Sequence, residues 1–382
     1  MEKIYETDPY QTQMTAVVES CTQGKKGYDI ILNQTVFYPE GGGQPYDTGT
    51  LANAQVLEVH ERNGRVVHTC DVPLEVGSTV DGHINWDRRF DLMQNHSGEH
   101  IVSGIAHSKW GCDNVGFHMG SDLITIDLNI LLHEDQLLEL EQEVNRYILE
   151  DHPVVITYPT SEELETLEYR SKKALTGQVR IVSFPGADTC ACCGTHVSTT
   201  GQIGLVKLLS VQKFREGVRI ELLCGNRAFA YLNRAFEQNR MVSNLLSAKI
   251  FETAAAVDRL LHENEALKSR IRAMEDGHFA QLAQNYANAE NVTLFENDLT
   301  PDALRRLCSA VLDTCHGFCA CFSGDDNSGY KYAIGHSGGD LRSFTKSLNA
   351  QLNGRGGGKP DFVQGSVSCS KKDILEFLEQ QS

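Results

Sequence analysis

Two stretches decide how this chain is interpreted: Gln94-Asn95-His96-Ser97-Gly98-Glu99-His100 and, further along, Cys192-Cys193-Gly194-Thr195-His196. On a helix, residues four positions apart lie on one face, so His96 and His100 can direct imidazole nitrogens at the same ion. The second stretch supplies a thiolate and an imidazole separated by a Gly-Thr turn. Nitrogen and sulfur donors in this combination suit tetrahedral zinc. The two stretches together predict a zinc site.

Length, charge and cysteine usage limit the class of protein. At 382 residues the chain is too long for one ordinary core, and we expect two or three domains. No signal sequence and no run of roughly 18 apolar residues is found, so no membrane association is expected. Twelve scattered cysteines fit reduced thiols in the cytoplasm. A net charge of −17 argues against a bulk electrostatic grip on nucleic acid, so any RNA contact must be local.

The alternation of sequence patterns predicts an α+β protein. Short β-rich runs separated by Gly, Asn and Asp indicate a small β-barrel, and a helix is expected over Trp86–Trp110. We read His107 as a neighbour of the metal ligands or as structural, and His118, after a Gly116-Phe117 turn, is left open. The predicted domains are a β-barrel with a glycine motif (1–85), an α+β metal-binding domain (86–226), a helical hairpin or coiled coil (227–288) and a C-terminal α/β domain (289–382).

Residues 227–288 show a heptad pattern. The a positions are Ile250, Val257, Asn264 and Ile271, and the d positions are Thr253, Leu260, Leu267 and Met274. An intramolecular hairpin is the conservative interpretation. Homodimerisation through the helical or C-terminal region is a hypothesis.

The C-terminal region combines helix signals with a glycine-rich segment. Thr300 and Pro301 are an N-cap and an N1 proline that open a helix to about Cys315. A loop is expected at 354–361, where glycine backbone flanked by cations suits phosphate or an RNA backbone. The residues expected to contact RNA are Arg355, Gly356, Gly357, Gly358 and Lys359. Among the remaining thiols, Cys308, Cys315, Cys319 and Cys321 are interpreted as small core residues unless metal analysis shows otherwise.

A second glycine motif lies in the barrel region, at Gly41-Gly42-Gly43-Gln44. Three consecutive glycines allow another group to approach the backbone closely and leave amide N–H groups free to donate. A tight barrel turn would explain the same residues.

These motifs together resemble a known family. Thr35-Val36-Phe37-Tyr38-Pro39, the glycine motif, the His-x-x-x-His helix and Cys-x-x-x-His followed by Gly201-Gln202-Ile203-Gly204 resemble the editing domain of alanyl-tRNA synthetase. In particular, they resemble the free-standing AlaX editing proteins of the long form. The segment 354–365 resembles the C-terminal domain shared with DHH-type phosphoesterases. Because the sequence has neither an upstream class II ATP-binding domain nor an Asp-His-His motif, neither aminoacylation nor phosphodiesterase activity is expected.

The resemblance implies a set of zinc ligands, namely His96, His100, Cys192 and His196. The neighbouring Cys190 and Cys193 are alternative thiolates. Cys192 is favoured because it fits the spacing to His196. Cys193 stands where the family usually has glycine.

The resemblance also implies an activity. The family hydrolyses the ester of seryl-tRNA, and often glycyl-tRNA, for alanine, which makes mischarged tRNA the expected partner and Zn2+ the expected cofactor. Thr35 matches the threonine that contacts the serine hydroxyl, and we interpret Gly42, Gly43 and Gln44 as donors to the ester carbonyl. Two rival functions are editing of seryl-tRNA for threonine and a non-catalytic zinc-bearing tRNA-binding module.

Overall fold

The computed structural model describes residues 1–171 and 178–380. Two compact units make up the chain, Met1–Asn239 and Arg240–Ser382. The first unit contains both stretches of the predicted zinc site. Within the described residues, no helix is both long and apolar enough to cross a membrane.

The N-terminal part of the first unit is a closed sheet of six strands. Its elements are β1 (Glu2–Lys3), α1 (Ile4–Thr7), β2 (Gln13–Gln23), β3 (Tyr28–Leu32), β4 (Gln34–Thr35), β5 (Gly49–Leu51), β6 (Ala54–Arg62), β7 (Arg65–Cys70) and β8 (Thr79–Ile84). Strands pair in the order β2-β3-β7-β6-β5-β8, and β8 pairs with β2. Along β2, buried Met14, Ala16 and Val18 alternate with exposed residues, which places one face of the strand inside the barrel.

A single long helix, α2 (Trp86–Trp110), follows the barrel and has the predicted bounds. The side chain of Asn85 accepts a hydrogen bond from the backbone N–H of Arg88 and caps the start. Gly111 ends the helix with a positive φ of 65° and donates its N–H to the carbonyl of His107. The middle of α2 is buried on all sides, including its histidines, so these polar side chains need partners.

A buried ion pair joins the barrel to α2. The Nε of Arg89 donates to both carboxylate oxygens of Asp47, at 3.1 and 3.0 Å. The two terminal nitrogens of Arg89 reach the carbonyls of Pro9 and Val36, at 2.7 and 2.6 Å. Asp47 also accepts the N–H of Tyr38 at 2.7 Å. Because neither charge is exposed, the pair fixes the segment before the glycine motif against the helix.

Two further sheets complete the first unit. The elements are β9 (Asn114–Met119), β10 (Ile124–Leu128), α3 (Glu134–Leu149), β11 (Val155–Thr157), α4 (Ser161–Thr166), β12 (Ile181–Phe184), β13 (Asp188–Ala191), β14 (Val206–Phe214), β15 (Gly217–Cys224) and α5 (Gly225–Leu245), whose last six residues belong to the second unit. The sheet orders are β14-β15-β10-β9 and β11-β12-β13. The prediction of a turn at Gly116-Phe117 is wrong, since both residues lie inside β9 and Phe117 pairs with Ile126. His118 is exposed on this strand.

The second unit is a mixed five-stranded sheet with helices. Its elements are α6 (Thr253–Gln284), β16 (Asn291–Glu296), α7 (Pro301–Leu312), β17 (Phe318–Asp325), β18 (Gly329–His336), α8 (Arg342–Gln351), β19 (Arg355–Lys359), β20 (Phe362–Val367) and α9 (Lys371–Glu379). The strand order is β16-β17-β18-β20-β19. Thr300 caps α7 by accepting the N–H of Ala303, and Pro301 opens the helix as predicted.

The loop predicted at 354–361 is wrong, because most of it forms the edge strand β19. Gly356 pairs with Gly365 and Gly358 with Val363 in an antiparallel hairpin. A Cβ on Gly356 would lie 2.1 Å from the hydroxyl of Tyr332, so glycine is needed where the strand crosses that ring. All five residues of β19 are exposed.

Both segments of the predicted 227–288 region are helical, as α5 and α6. The apolar heptad side chains of α6 are exposed, namely Val257, Leu260, Leu267, Ile271 and Met274. A coiled-coil partner for this face stays a prediction.

Candidate metal centre

The four predicted zinc ligands lie together in the first unit. His96 and His100 lie on consecutive turns of α2, and Cys192 and His196 follow β13. Their donor atoms all lie within 4.8 Å of one another. The Sγ of Cys192 is 3.5 Å from Nε2 of His96. The structure therefore brings together residues that are far apart in the sequence.

Buried nitrogens without partners face this centre. The Nε2 atoms of His100 and His196 are inaccessible and make no hydrogen bond among the described residues. A buried polar atom left unpaired is costly. Three imidazole nitrogens and one sulfur match the ligand types and number of a zinc site, and an ion bound there would satisfy the two orphaned atoms.

Each histidine is oriented through its other ring nitrogen. Nδ1 of His96 lies 2.8 Å from the amide oxygen of Gln44, and Nδ1 of His100 lies 2.8 Å from a carboxylate oxygen of Asp188. Because both oxygens only accept, Nδ1 carries the proton and Nε2 keeps its lone pair for the ion. Nδ1 of His196 is 3.4 Å from the hydroxyl of Ser97. The ring tautomers are therefore set by neighbours that the zinc motif itself does not contain.

Asp188 is held in turn by Arg170. The guanidinium donates to both carboxylate oxygens, at 2.7 and 2.8 Å. Burial raises the pKa of Asp188, but hydrogen bonds from His100 and Arg170 outweigh it and bring the pKa below its usual value. Asp188 thus stays ionised and holds His100 in the orientation that points Nε2 at the centre.

The charge state of Cys192 suits a ligand. Burial raises the pKa of this thiol, but attraction to His96, His196 and His100 brings it well below the usual value. Burial lowers the pKa of His196 to about 3, so this imidazole is neutral near pH 7. Burial lowers the pKa of His100, but the charge of Cys192 and the hydrogen bond to Asp188 outweigh it and raise this pKa well above its usual value. The Cys192 thiolate and the neutral His196 imidazole are in the protonation state that zinc requires, and zinc binding would displace a proton from His100.

A buried arginine shapes the turn that carries Cys192. Nη1 of Arg180 donates to the carbonyls of Cys192 and Gly194, at 2.8 and 3.1 Å. Because the carbonyls of Cys192 and Gly194 both point toward Arg180, the N–H groups of the turn are free to make other contacts. The N–H of Gly194 donates to the Cys192 sulfur at 3.4 Å, and the N–H of Thr195 donates to the amide oxygen of Gln44 at 3.1 Å. Arg180 is 6% exposed. It therefore positions the thiolate without touching the centre itself.

The three neighbouring cysteines occupy different surroundings. Cys192 joins the three histidines, whereas Cys193 is exposed. Cys190 is buried and groups with His100 and Asp188. The geometry therefore favours Cys192, the thiolate that the spacing predicts.

The glycine motif passes beside the centre. A Cβ on Gly43 would lie 2.5 Å from the ring of Phe117, whose centroid is 5.4 Å from that of His96. A Cβ on Gly194 would lie 2.1 Å from Cε1 of His96. Among the described residues, the N–H groups of Gly42 and Gly43 have no hydrogen-bond partner. Gly43 and Gly194 need glycine because a side chain at either position would collide with Phe117 or His96.

The side-chain amide of Gln44 bonds the candidate zinc ligand His96 and the neighbouring Thr195. The sequence had predicted instead that this amide would donate to the ester carbonyl. Its Nε2 donates to the hydroxyl of Thr195 at 2.8 Å, and its oxygen accepts from His96 and Thr195. Gln44 is fully buried. Its hydrogen bonds orient His96, whereas the N–H groups of Gly42 and Gly43 have no hydrogen-bond partner among the described residues.

Thr35 lies inside the barrel with its hydroxyl already engaged. Its Oγ1 accepts the N–H of Phe37 at 3.0 Å and lies 2.8 Å from Nε2 of His68. Nδ1 of His68 lies 3.2 Å from the carbonyl of Ile30 and donates to it, so Nε2 accepts the Thr35 proton. One lone pair of the Thr35 hydroxyl remains for another donor.

Sequence reasoning missed several residues that hold the centre: Ser97, Phe117, Arg170, Arg180, Asp188 and Thr195. His107, read as structural, bonds the carbonyl of Cys112 at the end of α2. The predicted RNA contacts Arg355–Lys359 lie in the second unit, on the exposed strand β19.

Three family models match parts of the chain. They describe class II (A) tRNA synthetases (residues 6–88), the second additional domain of threonyl and alanyl tRNA synthetase (179–221) and the DHHA1 domain (283–381). The alanyl-tRNA editing protein Aarsd1 of Mus musculus is 30% identical over 72% of each chain. Aarsd1-B of Xenopus laevis is 29% identical over 98% of this chain and 96% of its own. Alanyl-tRNA editing protein AlaX-L of Pyrococcus horikoshii is 27% identical over 98% and 97%.

Proposed function

Because the chain belongs to the alanyl-tRNA editing protein family, we propose that it hydrolyses the ester of mischarged seryl-tRNA for alanine in trans. The observation that carries this proposal is the cluster of three oriented histidines and one thiolate beside free glycine N–H groups. Glycyl-tRNA is proposed as a second substrate, without a residue assigned to it. Aminoacylation is not proposed.

The protein's residues divide the work of ester hydrolysis. Zn2+, when bound by His96, His100, Cys192 and His196, supplies Lewis-acid chemistry. The N–H groups of Gly42 and Gly43 donate to the ester oxygen as negative charge develops on it. Phe117 packs against both the motif and His96, which keeps these donors in a fixed position. Preorganised donors of this kind contribute about 3 kcal/mol to the rate in other hydrolases.

Selectivity for serine is assigned to Thr35. Its remaining lone pair would accept the hydroxyl proton of a seryl group, a contact that an alanyl group lacks. Supporting this assignment, His68 fixes the Thr35 hydroxyl so that it accepts rather than donates on that side. We expect Thr35→Val to raise hydrolysis of alanyl-tRNA relative to seryl-tRNA. An unchanged ratio would remove Thr35 from the mechanism.

The partner is proposed to be the acceptor end of alanine tRNA, with Arg355 and Lys359 contacting its backbone. These cations flank three glycines on an exposed edge strand. Replacing both by alanine should raise KM for aminoacyl-tRNA with little change in kcat. Lys372→Ala, at an exposed lysine of α9, is the matched control.

Homodimerisation is proposed through the exposed heptad face of α6. Sedimentation of a Leu260→Lys, Leu267→Lys variant tests it, because lysines at d positions disfavour the coiled coil. A monomeric wild-type chain, or an unchanged dimer in this variant, contradicts the proposal.

The deciding experiment measures deacylation of seryl-tRNA for alanine, alanyl-tRNA and seryl-tRNA for threonine, with and without a chelator. We expect rapid, chelator-sensitive loss of serine from the alanine tRNA. His100→Ala should abolish it, whereas His107→Ala, at an exposed histidine of the same helix, should not. Preference for the threonine tRNA would support the first rival function. Binding without hydrolysis of any ester would indicate the non-catalytic module.

A further inference from the structure

Three thiols of the second unit, none of which belongs to the candidate metal centre, lie close together. Cys308 lies on α7, whereas Cys319 and Cys321 lie two residues apart on β17, with side chains on one face. Their sulfur atoms are all within 4.8 Å of one another, and those of Cys319 and Cys321 are 3.8 Å apart. Three of the twelve cysteines in the chain therefore share one small volume, although they come from two elements.

The surroundings of these thiols are dry. All three have no solvent exposure, and they pack in an apolar core with Leu307, Val311 and other side chains. The sulfur of Cys308 donates weakly to the carbonyl of Cys319 at 3.5 Å. Hydrogen bonds from the two neighbouring thiols lower the pKa of Cys308. Packing alone needs small apolar side chains here, but it does not need three sulfurs in contact.

The geometry matches sulfur coordination of one ion. Metal–sulfur bonds of about 2.3 Å place sulfur ligands about 3.8–4.0 Å apart in tetrahedral or trigonal sites, close to the separation of Cys319 and Cys321. Thiolate-only donor sets select soft ions. A dry core offers no water as a fourth ligand, which disfavours tetrahedral zinc. We propose that Cys308, Cys319 and Cys321 bind a soft d10 ion, copper(I), in three-coordinate geometry.

Charge balance limits the protonation state of this site. Copper stays Cu(I), and each thiol that becomes a thiolate releases one proton to solvent. Three thiolates around Cu+ would bury a charge of −2, whereas two thiolates and one thiol bury −1. One thiolate with two thiols would bury no net charge, but thiolates rather than thiols are the metal ligands. Because a third thiolate would add a further costly buried charge to the two that hold the ion, we expect two protons to be released per ion.

The test uses the full chain in a Cys192→Ala background, which removes the thiolate of the editing centre. Cu(I) is added without oxygen, both to the native protein and during refolding, and binding is measured by competition with a chromophoric Cu(I) chelator. We expect one Cu(I) per chain and an ultraviolet sulfur-to-copper charge-transfer band. Cys321→Ala and Cys308→Ala should each weaken binding by about 100-fold or more.

Cys112→Ala is the matched control, since Cys112 is a buried thiol of the first unit. Thermal unfolding without metal checks that the variants fold. The inference is overturned if no Cu(I) binds in either loading mode, or if the Cys308 and Cys321 variants bind as tightly as the control. Either result would leave the thiols as packing residues. Since the assay does not involve tRNA, its outcome is independent of the editing proposal.

Discussion

Replacing Gln44 by alanine distinguishes its observed position from a direct role in catalysis. The substitution removes three buried hydrogen bonds: one to His96, at 2.8 Å, and two to Thr195, at 3.1 and 2.8 Å. At about 1 kcal/mol each, their loss should lower the free energy of unfolding by about 2–4 kcal/mol. Since His96 also loses the partner that fixes its tautomer, zinc affinity should fall about 10–100-fold, equivalent to about 1.4–2.7 kcal/mol.

The assay pairs zinc affinity with deacylation. Affinity is measured by competition with a chromophoric chelator, and kcat on seryl-tRNA is measured at saturating zinc. We expect Gln44→Ala to lose affinity but to recover most of kcat once zinc is saturating. Gln34→Ala is the control. Gln34 also lies in the N-terminal barrel region, but its side-chain amide donates to the carbonyl of Thr15 rather than to a candidate zinc ligand. Gln44→Glu should keep its affinity, since a carboxylate also accepts from His96.

One outcome would refute this reasoning. If Gln44→Ala binds zinc as tightly as the wild type but loses kcat, the amide acts on the substrate carbonyl, and the hydrogen bonds to His96 are incidental. Loss of kcat in Gln44→Glu at unchanged zinc affinity would point the same way. Both results would restore the role expected from the glycine motif alone.

Three further predictions concern neighbouring residues. Asp188→Asn should weaken zinc binding about 10-fold or more in the same competition assay, because the charged acceptor of His100 is lost; an unchanged affinity contradicts this. Gly43→Ala should reduce kcat on seryl-tRNA, because its Cβ would displace Phe117; full activity would show that the ring can move freely. Burial lowers the pKa of His68 from 6.5 to about 4. The unfolded chain therefore binds a proton in this range that the native ring does not, and unfolding free energy should drop by up to about 3 kcal/mol as pH falls from 6.5 to 4, an effect absent in His68→Gln.

Spacing within one helix made the strongest features predictable. The i, i+4 pair His96 and His100 needs only helical geometry to share a face, and the predicted bounds of α2 agree with the structure. The start of α7 was likewise recognisable, because its N-cap Thr300 and the following Pro301 are adjacent in the sequence. In each case the information is local, so a short window of sequence is sufficient.

Residues whose hydrogen-bond partners lie on other elements of the fold could not be found in this way. Asp188 and Arg180 carry no spacing signal, because their partners come from other elements. The hydrogen bonds of Gln44 to His96 and Thr195 could not be foreseen for the same reason, since these partners lie far along the chain. Strand β19 was read as a loop because three glycines have low strand propensity, and the need for glycine at position 356 arises from Tyr332 on a neighbouring part of the sheet.

The ion pair between Arg89 and Asp47 has a consequence for any attempt to excise the metal-binding part of this chain. A fragment that begins at Trp86 would retain the guanidinium but lose the carboxylate and the carbonyl of Val36 that satisfy it. Removing one partner of a buried ion pair lowers the free energy of unfolding by about 3–5 kcal/mol, a large share of the stability of an ordinary domain. The junction near residue 85 therefore separates two architectures but not two autonomous folding modules, and separating the barrel from α2 should destabilise both parts.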